Sequence, residues 1–267
     1  MSDPDVLAAQ ARESLERWDL DAAAKAFREA VPLYRARGEV QRTCECLVEL
    51  AGIGARTGDD EGRRVAVRDA TEAAEGYRAL GLRGAEGIAL YWAGQAAYAE
   101  SVEEEAGFYQ AALPLLEGAG GEPHAPFVYA CHVAMGRIAA QDRADLAGAE
   151  AHYLRAWELL SHAQSRLAPG SLARKLAEVV LKRGRPEESV AWLEKAMASL
   201  DAVSLEGARR EAAFVQRCLG EARQRQGDLA AARAAYTRAL RSFQHWGMDF
   251  KAREVDALLR ALGADDT

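Results

Sequence analysis

A pattern of six side chains recurs along the chain at a pitch of 40–44 residues, and no other feature constrains the fold so strongly. Its clearest copy is Leu229, Ala232, Tyr236, Ala239, Leu240, Phe243. The same offsets give Leu146, Ala149, Tyr153, Ala156, Trp157, Leu160, and again Leu20, Ala23, Phe27, Ala30, Val31, Tyr34. Weaker copies begin at Val102, Pro186 and Asp60. Steps of three or four residues place all six side chains on one face of a helix. Alanines flanking one large knob let a neighbouring helix approach closely while the knob fills the gap.

Composition agrees with a purely helical chain. Of 267 residues 58 are alanine, against 7% aromatic residues and 7 prolines. Alanine loses no side-chain entropy in a helix, whereas the β-branched and aromatic residues that favour strands are scarce. Start signals precede the copies. Gly227-Asp228 and Gly58-Asp59 pair a helix-ending glycine with an N-capping aspartate, and Asp19 and Asp145 occupy the same cap position. Pro186 stands in a first helical turn, where its missing N–H costs little.

A second helical stretch precedes each copy. The spacing predicts first helices over 5–17, 39–57, 84–100, 124–142, 170–183 and 205–226. It predicts second helices over 20–37, 60–80, 102–117, 145–163, 186–200 and 229–245. An amphipathic segment over 249–262 is expected to cover the last pair, as a terminal repeat must. The expected fold is all-α, a solenoid of about six antiparallel helix pairs plus a capping helix. No linker interrupts it, so residues 1–267 are read as one domain.

Several function classes are disfavoured. No apolar run reaches the roughly 18–20 residues that span a bilayer, so no membrane partner is expected. Met1–Asp5 is polar and acidic, so no secretory signal is expected either. A net charge of −7 argues against general nucleic-acid binding. The four cysteines, Cys44, Cys46, Cys131 and Cys218, have neither zinc spacing nor the density of a secreted scaffold, which points to reduced thiols in a cytoplasm.

The run Gly-Asp-Leu-Ala-Ala-Ala-Arg-Ala-Ala-Tyr-Thr-Arg-Ala-Leu over 227–240, with Leu219-Gly220 eight residues before its Gly-Asp turn, resembles the tetratricopeptide repeat. The resemblance is strong over 1–34, 124–160 and 205–243 and poor over 39–80. The pitch exceeds that family's usual 34 residues, and the long helices look like those of kinesin-light-chain-type repeats and of bacterial regulators. The resemblance implies a superhelix whose first helices line a concave groove that binds a peptide or a partner helix.

On that alignment the N-terminal groove positions are Ala8, Val48, Gly52, Ala55, Leu90, Gly94 and Ala97, with Tyr91 and Tyr98 beside them as a ledge for an apolar side chain. The alternative is that Trp92 and one tyrosine fill the core between pairs. In the C-terminal half Arg174, Lys175, Lys182, Arg217 and Arg225 fall at or near the groove, with Arg209 and Arg210 at the start of the sixth pair. They suit a carboxylate-bearing partner, unless they pair internally at i,i+4 spacing, as Arg174 with Glu178 and Arg217 with Glu221. The sequence has no asparagine, which argues against the Hsp70/Hsp90-type carboxylate clamp that this family builds with two of them.

No catalytic, cofactor or metal constellation emerges. Gly118–Gly121 lacks the lysine of a phosphate loop. His124, Cys131 and His132 find no carboxylate at ligand spacing, so packed or solvent-facing histidines are expected. The reading is a cytoplasmic, non-enzymatic scaffold that binds another protein or peptide. A ligand-sensing bacterial regulatory module is the alternative, an enzyme is a remote third, and self-association stays open.

Overall fold

The computed structural model describes residues 3–98, 100–142 and 144–264. The first two residues, Ala99 at the end of the expected 84–100 helix, Arg143 and residues 265–267 lie outside the described residues. The chain divides into two compact units, residues 1–135 and 136–267.

The first unit holds α1 (Pro4–Glu16), α2 (Leu20–Ala36), α3 (Val40–Thr57), α4 (Asp60–Ala79), α5 (Arg83–Ala97), α6 (Val102–Ala119) and nearly all of α7 (Ala125–Arg137). The second opens with a π-helical turn, Ile138–Asp142. It continues through α8 (Leu146–Glu158), a short 3-10 turn at Leu160–His162, α9 (Ala168–Lys182), α10 (Pro186–Asp201), α11 (Glu206–Arg225), α12 (Leu229–His245) and α13 (Asp249–Ala264). No strand occurs among the described residues. Consecutive helices from α1 to α6 and from α8 to α13 pack on one another, and alternate helices also touch, α3 with α5 and α9 with α11. Within each unit the first helices of successive pairs therefore form a layer of their own.

Side-chain caps fix where the second helices begin. Asp19 accepts from Ala22 N (3.0 Å), Asp59 from Gly62 N (2.8 Å), Asp145 from Gly148 N (2.9 Å) and Asp228 from Ala231 N (3.0 Å). Ser101 does the same for α6, and Pro186 opens α10 without a side-chain cap. Each cap satisfies one N–H that the first turn leaves without a helical partner.

The turns before the caps differ from the expected glycine signal. Gly227 is left-handed (φ 82°), but Gly58 is not (φ −66°). A Cβ on Gly58 would lie 2.5 Å from the Gly54 carbonyl oxygen and 2.9 Å from the Arg63 nitrogen, so close backbone approach selects glycine there. Trp18 (φ 59°) and Ala144 (φ 52°) take the left-handed conformation without being glycine. Three helix ends also fall short of expectation, the first being that of the 84–100 helix, which closes at Ala97. The 124–142 helix turns π-helical after Arg137, and the 145–163 helix closes at Glu158.

Between paired helices the recurring knob meets a glycine. A Cβ added to Gly94 would stand 2.9 Å from Cε1 of Tyr109, one on Gly136 2.5 Å from Cε1 of Tyr153, and one on Gly220 2.5 Å from Cε1 of Tyr236. Each ring lies against bare backbone, which lets the two helices approach to a separation that a side chain would prevent. Ala213, Ala232 and Ala239 share a buried cluster with the Tyr236 ring. Ala51, Ala66, Ala70, Ala93 and Ala96 form one buried cluster with Trp92 and Phe108 packed against it. All four cysteines are buried free thiols, and burial first of all pushes Cys46 up to about 11.

Candidate functional site

Alternating charges on α9 and α11 form the densest polar network on the first-helix layer of the second unit. Arg174 donates from Nη1 to Glu178 (2.7 Å) and from Nε to Glu211 (2.6 Å), crossing from α9 to α11. Arg217 stands 3.5 Å from Glu178 and 3.7 Å from Glu221. Arg225 pairs with Glu221 (2.9 Å) and donates to the Leu181 carbonyl (2.9 Å), tying the C-terminal ends of the two helices together. The buried Cys218 thiol donates to Glu178 (3.1 Å).

The energetics follow from burial. Burial opposes the Glu178 charge, yet Arg174, the Cys218 hydrogen bond and Arg217 outweigh it and hold the carboxyl below its usual range. Burial likewise opposes the Arg174 charge, and Glu178 with Glu211 overcomes it. Lys175 goes the other way. Its burial, followed by the charge of Arg174, pushes the ammonium below its usual pKa. Among the described residues Lys175 makes no hydrogen bond or ion pair, and Glu211 and Glu178 act on it only from a distance.

Of the expected groove cations, then, Arg174, Arg217 and Arg225 are spent on internal pairs. Lys175 is half-buried without a pair, and Lys182 is exposed at the end of α9. Arg210 pairs with Glu206 (2.6 Å) and lies over the Trp246 ring. Five cations, Arg174, Lys175, Lys182, Arg217 and Arg225, thus face three carboxylates, Glu178, Glu211 and Glu221, an excess of two positive charges.

In the first unit several expected groove positions are instead buried between helices. Ala8, Leu90 and Ala97 are core residues, Gly94 lies under Tyr109, and a Cβ added to Gly52 would stand 3.3 Å from the Trp92 ring. Small residues at these positions mark helix packing rather than an open face. Tyr91 packs edge-on against Trp92 (5.0 Å) and Phe127 (5.2 Å), and burial pushes its hydroxyl up to about 12. Tyr98 stands at the end of α5, 58% exposed. The open part of this layer is a pocket of about 390 Å³ whose walls include Arg12, Glu45, Val48, Glu49, Ile88 and Phe127.

The model of the tetratricopeptide repeat family matches residues 168–245, from α9 to the end of α12. Residues 168–245 carry tetratricopeptide repeats. Solved structures extend the fold likeness over the whole length. RapI in its apo form shares 11% identity at a TM-score of 0.68, over 98% of this chain and 97% of that one. Acl4, an assembly chaperone of RpL4, shares 15% at 0.70, over 99% and 98%. The apo quorum sensor NprR from B. thuringiensis shares 12% at 0.61, over 96% and 75%. No curated protein gives a significant sequence match.

In these repeats Gly220 and Tyr236, which carried the resemblance, face each other across the α11–α12 pair. Sequence reasoning missed Glu49, Ile88 and Phe127, because only the packing of α3, α5 and α7 brings them to one pocket. It missed Glu211 for the same reason, since that side chain meets Arg174 from another helix. No group of three or more His, Cys, Asp or Glu side chains suited to a metal occurs among the described residues. His132 is buried with Nε2 3.6 Å from Glu117, and His124 donates Nδ1–H to the Gly120 carbonyl (2.6 Å). No described helix is long and apolar enough to cross a membrane.

Proposed function

We propose that this chain is a non-enzymatic interaction module of the cytoplasm, and that it holds an acidic segment of another protein against α9 and α11. The observation that supports this reading is Lys175. A half-buried ammonium without an ion pair is destabilised in the free protein and is stabilised when a carboxylate arrives. Lys182, one helix end away on α9, adds a second unpaired cation. Arg174, Arg217 and Arg225 hold their carboxylates in place and so position the lysine. The absence of asparagine keeps this arrangement distinct from the chaperone clamp. Four buried thiols suit a reducing compartment.

The test uses the full chain as bait, with Lys175→Glu as its partner experiment. Arg174→Glu is a poor choice, because it would strand Glu178 and Glu211 beside a third carboxylate. A stoichiometric partner should be retained at low salt and released as salt rises, and Lys175→Glu should reduce its affinity about tenfold or more. Retention that ignores both salt and the substitution would refute the reading. Light scattering separates a foreign partner from a second copy of this chain. A second reading, a regulatory module that senses a peptide or small ligand, is favoured by the fold likeness to the quorum sensor NprR. Partner binding that appears or disappears on adding a low-molecular-weight extract would support that reading.

A further inference from the structure

The pocket in the first unit has a polar end and an apolar end, and its polar end is unfinished. Glu45 and Glu49 stand one turn apart on α3. Glu45 is already paired: it accepts from Gln41 (3.1 Å) and Arg42 (3.2 Å), with Arg12 3.6 Å away. Glu49 forms no hydrogen bond or ion pair among the described residues. The nearest cations are engaged elsewhere, Arg12 with Glu45 and Arg56 over the Trp92 ring (4.7 Å), and they act on Glu49 only from a distance. Val48, Ile88 and Phe127 supply the apolar wall. A half-buried carboxylate without a donor, beside an apolar wall in a cavity of about 390 Å³, is complementary to a side chain with an aliphatic stem and a cationic head.

We infer that this pocket binds the basic side chain, arginine or lysine, of a partner peptide, with Glu49 receiving the cationic head and Val48, Ile88 and Phe127 receiving the stem. The inference is independent of the acidic-partner reading, since it concerns the other unit and the opposite charge. An acidic or purely apolar occupant would leave Glu49 without a donor and remove more of its water, so charge complementarity selects the basic one.

The probe is N-acetyl-arginine methylamide, titrated into the full chain and followed by NMR at the Trp92 indole and the Glu49 carboxyl. The expected result is saturable binding at both reporters. The citrulline analogue, which keeps the shape and loses the charge, should bind about tenfold more weakly, as should the norleucine analogue. Glu49→Gln, checked for an otherwise unchanged spectrum, should weaken arginine binding about tenfold, and Lys175→Glu should leave it unchanged. Absence of saturation, equal binding of citrulline, or arginine binding unaffected by Glu49→Gln would each overturn the inference.

Discussion

Replacing Gly220 with alanine sets two known effects against each other at one atom. In an exposed helix interior the change is favourable by about 1 kcal/mol, because alanine loses less backbone entropy. At Gly220 the new methyl would lie 2.5 Å from Cε1 and 2.8 Å from Cγ of Tyr236. Contact with Cγ, at the root of the ring, means that rotating the ring tip away gives no relief. The Tyr236 side chain is fully buried, and its hydroxyl donates to Gln224 (3.1 Å), so displacement also strains that bond. Overpacking of this kind costs about 1–3 kcal/mol, and a clash with three ring atoms belongs at the upper end. The net expectation is a loss of about 2 kcal/mol. Urea unfolding followed by circular dichroism would read it, with the transition of residues 136–267 moving. Gly107→Ala, in the middle of α6 with nothing within 4 Å of the new methyl, is the control and should gain about 0.5–1 kcal/mol. Adding Tyr236→Ala to Gly220→Ala should recover at least about 1 kcal/mol relative to the sum of the single changes, because every atom of the clashing ring is gone. A Gly220→Ala protein as stable as the unaltered chain would refute the claim that bare backbone under the ring sets the separation of the pair.

Two further outcomes can be measured. Trp18→Gly removes a left-handed conformation from a side chain that is 75% exposed, so about 1 kcal/mol of strain is relieved with little burial lost, and thermal melting should shift upward. Burial holds the Glu49 carboxyl above its usual pKa despite Arg12 and Arg56. The folded pKa lies above the unfolded one, so the charged form is penalised on folding at neutral pH and the penalty fades as pH falls through the folded value. Glu49→Gln should therefore be more stable than the unaltered chain at pH 7, with the gain gone below about pH 4. A gain that does not vary with pH would contradict the assignment.

The repeat pitch placed most helix ends within a residue or two, because caps such as Asp19, Asp145 and Asp228 are local signals and act locally in the fold. It could not place the π-helical turn at Ile138–Asp142, since Ile-Ala-Ala-Gln-Asp suits an α-turn equally well. At the candidate site the i,i+4 pairs Arg174–Glu178 and Arg217–Glu221 were legible, while Arg174–Glu211 was not. A pairing between helices depends on their relative register, which spacing within one helix does not encode. Most of the groove positions expected in the first unit are buried between helices for a related reason, although Val48 does line the pocket. A first helix in such an array is packed on both flanks, so small residues such as Gly94 and Ala97 mark where helices touch, and the open stripe is narrow enough to be missed.

The buried thiols make each unit its own reporter. Cys44, Cys46 and Cys131 lie in one and Cys218 in the other, with Cys218 also hydrogen-bonded to Glu178. A thiol-reactive dye can reach a sulfur only when the surrounding helices part. Modification rates, read peptide by peptide in a mass spectrometer, would time the opening of the two units separately, with no engineered label.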